Sequence, residues 1–118
     1  MVDEVGQGPV DGTLGVEQLL KLADPLHPLE RAQHMLMLPD FVARRLCGSI
    51  ACERTNASST QMLDANTRAW NRLLVAASGI PARIMPPLVD AGCSEPLGTL
   101  LPDIADETGL STATPVIA

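Results

Sequence analysis

The sequence predicts an α/β fold built from mostly helical segments with a few short strands, and three observations carry that expectation. Apolar residues recur at helical spacing, first as Val16, Leu19, Leu20 and Ala23 and again as Trp70, Leu73, Leu74 and Ala77. Pro81, Pro86, Pro87, Pro96 and Pro102 cut the second half into pieces too short for a long helix or a central strand. Thr114-Pro115-Val116-Ile117-Ala118 is an apolar run of the kind that enters a buried strand.

Composition bounds what such a chain can be. Its 118 residues have the size of one domain, able to bury about two thirds of the unfolded surface. With 46% hydrophobic and 19% charged residues it falls outside the disordered class. One Phe, one Trp and no Tyr mean a core of Leu, Ala, Val, Ile and Met. A net charge of -6, with Arg44-Arg45 the densest basic spot, argues against a nucleic-acid partner. Nothing approaches the roughly 20 apolar residues that span a bilayer. Asp3 and Glu4 stand where a signal peptide carries positive charge, so a cytoplasmic location without a membrane partner is expected. Cys47, Cys52 and Cys93 lack paired spacing and read as reduced, structural thiols.

In chain order, residues 1–12 contain Gly6, Gly8, Pro9 and Gly12 without an apolar period and read as a flexible lead-in. From Thr13 the helical pattern begins; Asp24-Pro25-Leu26-His27-Pro28 ends it, because each proline disfavours helix at the residue before it. A second helix is expected from Leu29 to Leu36. Pro39 opens a third, with Asp40 at its positive end, Leu38, Phe41, Val42 and Leu46 on one side, Arg44 and Arg45 in the last turn and Gly48 as terminator. Ser49 to Arg54 reads as extended. The polar run Thr55-Asn56-Ala57-Ser58-Ser59-Thr60-Gln61-Met62-Leu63-Asp64 reads as a turn opening a short helix, capped by Thr55 or Asn56, and Asp64 to Thr67 as a turn or cap. A helix is expected from Arg68 to Ser78, capped by Asn66 or Thr67 and closed by Gly79. Gly98 to Leu101 suits a short edge strand, and Asp103 to Thr108 a short helix closed by Gly109.

Several of these motifs, in this order, resemble those of the FGGY carbohydrate kinases, and among them the rhamnulokinase branch. The resemblance rests on Met37-Leu38-Pro39-Asp40-Phe41 leading to Arg45-Leu46-Cys47-Gly48, and on Glu53-Arg54-Thr55-Asn56-Ala57-Ser58-Ser59-Thr60-Gln61. It continues through Trp70, Ala77-Ser78-Gly79-Ile80-Pro81, Pro87-Leu88-Val89, Gly98-Thr99-Leu100 and Pro115-Val116-Ile117-Ala118, and so covers nearly all of residues 13–118. Arg54 stands where the branch has an aromatic residue and Cys47 where it has threonine. The resemblance implies part of a ribonuclease H-like (actin-like ATPase) domain. It further implies an enzyme that uses ATP and Mg2+ to phosphorylate a ketose, L-rhamnulose foremost, bound between two domains. Residues 13–118 then form part of the first, sugar-binding domain, truncated at both ends. The aspartate that deprotonates the sugar hydroxyl is expected just past Ala118, and the phosphate loop before Met1. A fragment so placed is expected to be inactive alone.

No residue within the chain is therefore assigned to catalysis, to substrate, to cofactor or to metal. Asp64, Asp90, Asp103 and Asp106 lack any surrounding motif and read as turn and cap residues rather than general bases. His27 and His34 with Cys47 and Cys52 lack the spacing of a metal site. Asn56-Ala57-Ser58 matches a glycosylation acceptor only at chance level. Thr55 to Gln61 is expected to organise a turn beside the cleft, with direct or indirect sugar contact as the alternative. A different class of function, a non-catalytic helical interaction module descended from a kinase, is the competing reading.

Overall fold

A computed structural model describes residues 13–14, 29–92 and 94–118. The lead-in at residues 1–12, the helix expected over Val16 to Ala23 and the turn after it lie outside the described residues. Strand β1 (Thr13–Leu14) pairs in parallel with β2 (His34–Met35), Thr13 opposite His34 and Leu14 opposite Met35. The helix expected from Leu29 to Leu36 is thus replaced by a 3-10 turn, Leu29–Arg31, followed by strand. Met35 and Leu36, adjacent in sequence, are both fully buried. Successive side chains of an extended chain point to opposite faces, so full burial of both requires cover on each side.

Helix α1 (Leu38–Cys47) forms as the sequence predicts, with Pro39 in its first turn and Gly48 at φ 81° as its C-cap, the Gly48 amide donating to Arg44 O. Its inward face is a correction. Leu38 and Val42 are 57% and 49% exposed while Asp40 is only 7% exposed, so part of the expected apolar side faces outward and a carboxylate faces in. The inward positions Asp40, Ala43 and Cys47 are small, which lets α1 lie close against its neighbours, β5 and β6.

After α1 comes β3 (Cys52–Glu53), which runs parallel to β4 (Leu88–Val89), with Cys52 opposite Leu88 and Glu53 opposite Val89. Directly from β3 the chain enters α2 (Arg54–Ser58). Beyond it, Asp64 Oδ1 accepts from the amides of Asn66 at 2.8 Å and Thr67 at 2.9 Å, which closes the expected turn. Helix α3 (Arg72–Ala77) starts four residues later than expected and takes Asn71 as its cap, whose side chain accepts from the amides of Leu73 and Leu74. Trp70 is outside the helix, in a bridge with Leu63. The buried residue of α3 is Val75, and Leu73 is 81% exposed. The competing Asp64 turn holds residues 66–68 off the helix, with Arg68 at φ 57°.

Val75 joins Leu29, Ala32, Met35, Met62, Ile80 and Ile84 in the main apolar cluster, with Trp70 and Met85 packed on it. The Trp70 indole donates to Pro86 O at 2.8 Å, just before β4. Between Ile80 and Pro102 the chain is broken up as the prolines predict, holding a 3-10 turn (Ala82–Ile84) and short strands. Strand β5 (Gly98–Thr99) pairs antiparallel with β6 (Pro115–Val116), and α4 (Pro102–Thr108) between them is closed by Gly109 at φ 75°. The terminal run was expected in a buried strand. Here Val116 is half-buried and Ile117 is 51% exposed.

Candidate functional site

The N-terminal turn of α1, the junction of β3 with α2, and the chain leaving β6 enclose a cavity of about 220 Å³. It is lined by Pro39, Asp40 and Ala43 of α1, by Glu53 and Asn56, and by Ala91, Leu97, Ile117 and Ala118. The end of the chain is fastened there by the amide of Gly92, which donates to Ala118 O at 3.0 Å.

Asp40 is the unusual side chain of this cavity. Its Oδ1 accepts from the Glu53 amide at 3.1 Å, tying the start of α1 to β3, whereas Oδ2 has no hydrogen-bond partner. Burial raises its pKa above the usual carboxylate value, and the Cys52 thiol and the Glu53 amide offset that only in part. Cys52 is wholly buried next to it, and burial with the neighbouring Asp40 charge pushes its thiol far up, so it stays protonated. Asn56, from α2, holds the second orphan: its Nδ2 is buried without a partner.

Glu53 has a different task. Its Oε1 accepts from the Thr55 amide at 2.7 Å and Oε2 from the Asn56 amide at 3.0 Å, so Glu53, not Thr55 or Asn56, caps α2. Partial burial pulls its pKa up, but those two amides outweigh it and hold the carboxyl below the ordinary value. The hydroxyls that follow turn inward on their own backbone. Ser58 donates to Thr55 O at 2.6 Å, Ser59 to Asn56 O at 2.7 Å and Thr60 to Ala57 O at 2.8 Å. Within Thr55 to Gln61, Asn56 is the residue that lines the cavity.

The other carboxylates lie elsewhere. Asp64 serves its turn, Asp90 is exposed between Arg54 at 3.0 Å and Arg68 at 3.2 Å, and Asp103 sits in the first turn of α4 with Asp106 exposed on the same helix. Cys47 donates to Ala43 O at 3.2 Å, and His27 and Cys93 lie outside the described residues. Among the described residues no three His, Cys, Asp or Glu side chains gather to hold a metal ion. Nor is any helix among them long and apolar enough to cross a membrane. A larger hollow of about 630 Å³ beside Trp70, Val75 and Met85 borders the apolar cluster.

Sequence reasoning gave Asp40 only the role of charge partner to a helix end, and Asn56 that of a cap or, within Thr55 to Gln61, of direct or indirect sugar contact as the alternative. Two signals pointed further. Asp40, Ala43 and Cys47 share a helix face of small residues, a packing face rather than a solvent one. Glu53 immediately precedes the helix that opens at Arg54, and because its carboxylate takes the free amides of Thr55 and Asn56, the Asn56 side chain is not used as the cap.

Comparison with known proteins bears on what this arrangement belongs to. The model of the FGGY family of carbohydrate kinases, N-terminal domain, matches residues 25–118. A rhamnulokinase of Pectobacterium atrosepticum is 40% identical over 76 residues, covering 64% of this chain and 15% of that protein. An L-fuculokinase of Escherichia coli K12 is 39% identical over 94 residues, covering 78% of this chain and 20% of that protein. The chain thus spans about a fifth or less of the length of these relatives. Among solved structures, a xylulose-type kinase from Brucella ovis superposes with a TM-score of 0.68 at 26% identity, over 92% of this chain and 23% of that one. A gluconate kinase from Lactobacillus acidophilus superposes with a TM-score of 0.66 at 18% identity, a likeness of fold, over 86% of this chain and 24% of that one. These neighbours are sugar kinases of the actin-like ATPase fold, of which the present structure is a small mixed piece. With motifs, fold and family model in agreement, the chain belongs to the FGGY family of carbohydrate kinases, within the part that forms their N-terminal domain.

Proposed function

We propose that the protein to which this chain contributes transfers the γ-phosphoryl group of ATP, as its Mg2+ complex, to a hydroxyl of a ketose in the cytoplasm, with L-rhamnulose as the first candidate. The family match over residues 25–118 carries this reading. The choice of sugar is supported by Thr55-Asn56-Ala57-Ser58 with Ser59-Thr60-Gln61, and by relatives named for rhamnulose and fuculose, both 6-deoxyketohexoses. Residues 13–118 serve as scaffold of the sugar-binding domain in this reading. In the same reading ATP and Mg2+ are held by other parts of the enzyme, as the family resemblance implies. Phosphoryl transfer depends mainly on positioning and charge stabilisation, so a scaffold that fixes the sugar contributes directly to rate.

The test is ADP release by the complete parent enzyme with L-rhamnulose, L-fuculose, D-xylulose and glycerol. The highest kcat/KM is expected for L-rhamnulose. Preference for L-fuculose would transfer the assignment to that sugar, and absence of ketose-dependent turnover would remove the kinase reading altogether.

A further inference from the structure

We infer that the hollow beside α3 is a binding site for a small amphiphilic monocarboxylate, whose apolar body lies against Trp70, Val75, Ile80 and Met85 and whose carboxylate pairs with Arg72. Such a site is independent of phosphoryl transfer to a sugar.

The hollow measures about 630 Å³, within the ~300–1,000 Å³ of sites that take small ligands. Val75, Ala76, Ile80 and Met85 line it together with Trp70, so it presents mainly hydrocarbon. Trp70 is half-buried, and its indole N–H is already committed to Pro86 O at 2.8 Å. The ring therefore offers a ligand carbon surface rather than a hydrogen bond.

Arg72 is the one charged residue that lines the hollow. It is exposed and has neither a hydrogen-bond nor an ion-pair partner for its side chain among the described residues. The other arginines nearby in sequence are engaged: Arg83 donates to Glu30 O and Ala32 O, and Arg68 shares Asp90 with Arg54. Local structure gives Arg72 no use either. It is the first residue of α3, where the amide end of a helix disfavours a cation, and Asn71 already caps the amides of Leu73 and Leu74. An unpaired cation beside hydrocarbon calls for a ligand that is anionic at one end and apolar at the other. A carboxylate answers a guanidinium with two parallel hydrogen bonds. A cationic amphiphile would be repelled by Arg72, and a sugar would leave most of its hydroxyls unpaired against the apolar lining.

The chain's single tryptophan reports on the site directly. Titration of the 118-residue chain with octanoate is expected to shift Trp70 emission to a saturable limit, while acetate and octylammonium produce no such change and octanol binds more weakly. Arg72→Gln should weaken octanoate binding about tenfold, the usual loss when a charged partner leaves a hydrogen bond, and leave octanol binding unchanged. Ala76→Glu sets a carboxylate at an exposed position one helical turn from Arg72, so it takes the guanidinium for itself and should abolish octanoate binding without unfolding α3. Equal affinity for octanoate and octanol, or octanoate binding unchanged in both variants, would overturn the assignment. A Trp70 spectrum that moves with protein concentration alone would also overturn it and give the hollow to a second copy of the chain. Calorimetry on the complete parent enzyme should show octanoate binding as well. Binding by the 118-residue chain without binding by the parent would mean that the rest of the protein covers the hollow, and the site would fall.

Discussion

The amide of Glu53 donates to Asp40 Oδ1 at 3.1 Å across thirteen residues of sequence, so the start of α1 and the end of β3 share one carboxylate. The two acids joined in this way titrate in opposite senses. Asp40 is raised by burial, whereas Glu53 is lowered because the Thr55 and Asn56 amides outweigh its own slight burial.

Their opposite shifts give a pH prediction. A raised native pKa means that the folded state binds more protons than the unfolded one between 3.8 and that higher value, so the Asp40 contribution to stability falls as pH rises through this window. Glu53 works the other way: its contribution is fully present above the ordinary 4.5 and is lost as pH falls through its lower native value. In urea titrations from about pH 3 to 7, Asp40→Asn should remove the decline with rising pH, and Glu53→Gln the decline on acidification. Parallel pH profiles for wild type and both variants would contradict the assignment.

How much of this was legible in the sequence follows from where the competition lay. Pro39 with Gly48, and Gly109 after Asp103 to Thr108, mark helix ends by strictly local chemistry, and both helices form within a residue or so of the expected limits. Errors arose where a local pattern was right but a neighbour overrode it. The Trp70, Leu73, Leu74 and Ala77 spacing is helical, yet Asp64 captures the amides of Asn66 and Thr67 and delays the helix to Asn71. His34–Met35 is strand because Thr13–Leu14 pairs with it, a partner twenty-one positions away that no window on Leu29 to Leu36 contains. The cavity was invisible for a related reason. Asp40 and Asn56 are sixteen positions apart and come to line one cavity only through the path of the chain from α1 to β3.

Asn71 supplies a test of that relocated helix start. Its side chain accepts from the amides of Leu73 at 3.0 Å and Leu74 at 3.1 Å. Asn71→Ala should cost about 1 kcal/mol in urea unfolding, the usual loss of an N-cap. Asn66→Ala, at the exposed position expected from sequence to cap, should stay within about 0.5 kcal/mol of wild type. Equal losses at the two sites would restore the longer helix.

Trp70 tests whether the cluster depends on a polar anchor as well as on area. Its indole donates to Pro86 O at 2.8 Å, and Pro86 is buried. Trp70→Phe keeps an aromatic ring but leaves that carbonyl without this donor, a loss of about 1–3 kcal/mol. Circular dichroism in urea is the readout, because the substitution removes the chain's single tryptophan. A loss below about 0.5 kcal/mol would show that water replaces the indole at that carbonyl.

Gly98 tests how closely α1 lies on the β5–β6 pair. A Cβ placed there would stand 3.3 Å from Cys47 Cβ, 3.4 Å from its Sγ and 3.5 Å from its carbonyl oxygen. Cys47 has little room to yield: it is the last residue of α1, with Gly48 bonded back to Arg44 O at 2.7 Å and its own Sγ donating to Ala43 O at 3.2 Å. Gly98→Ala should therefore destabilise by about 1 kcal/mol or more, as overpacking does, despite the gain that alanine brings to the unfolded-state entropy. Adding Cys47→Ala removes the Sγ contact and leaves the Cβ one, so the double variant should recover part of the loss. A double-mutant cycle in urea measures that coupling, and strict additivity of the two changes would mean that the helix and the strand pair separate enough to take the methyl group without contact.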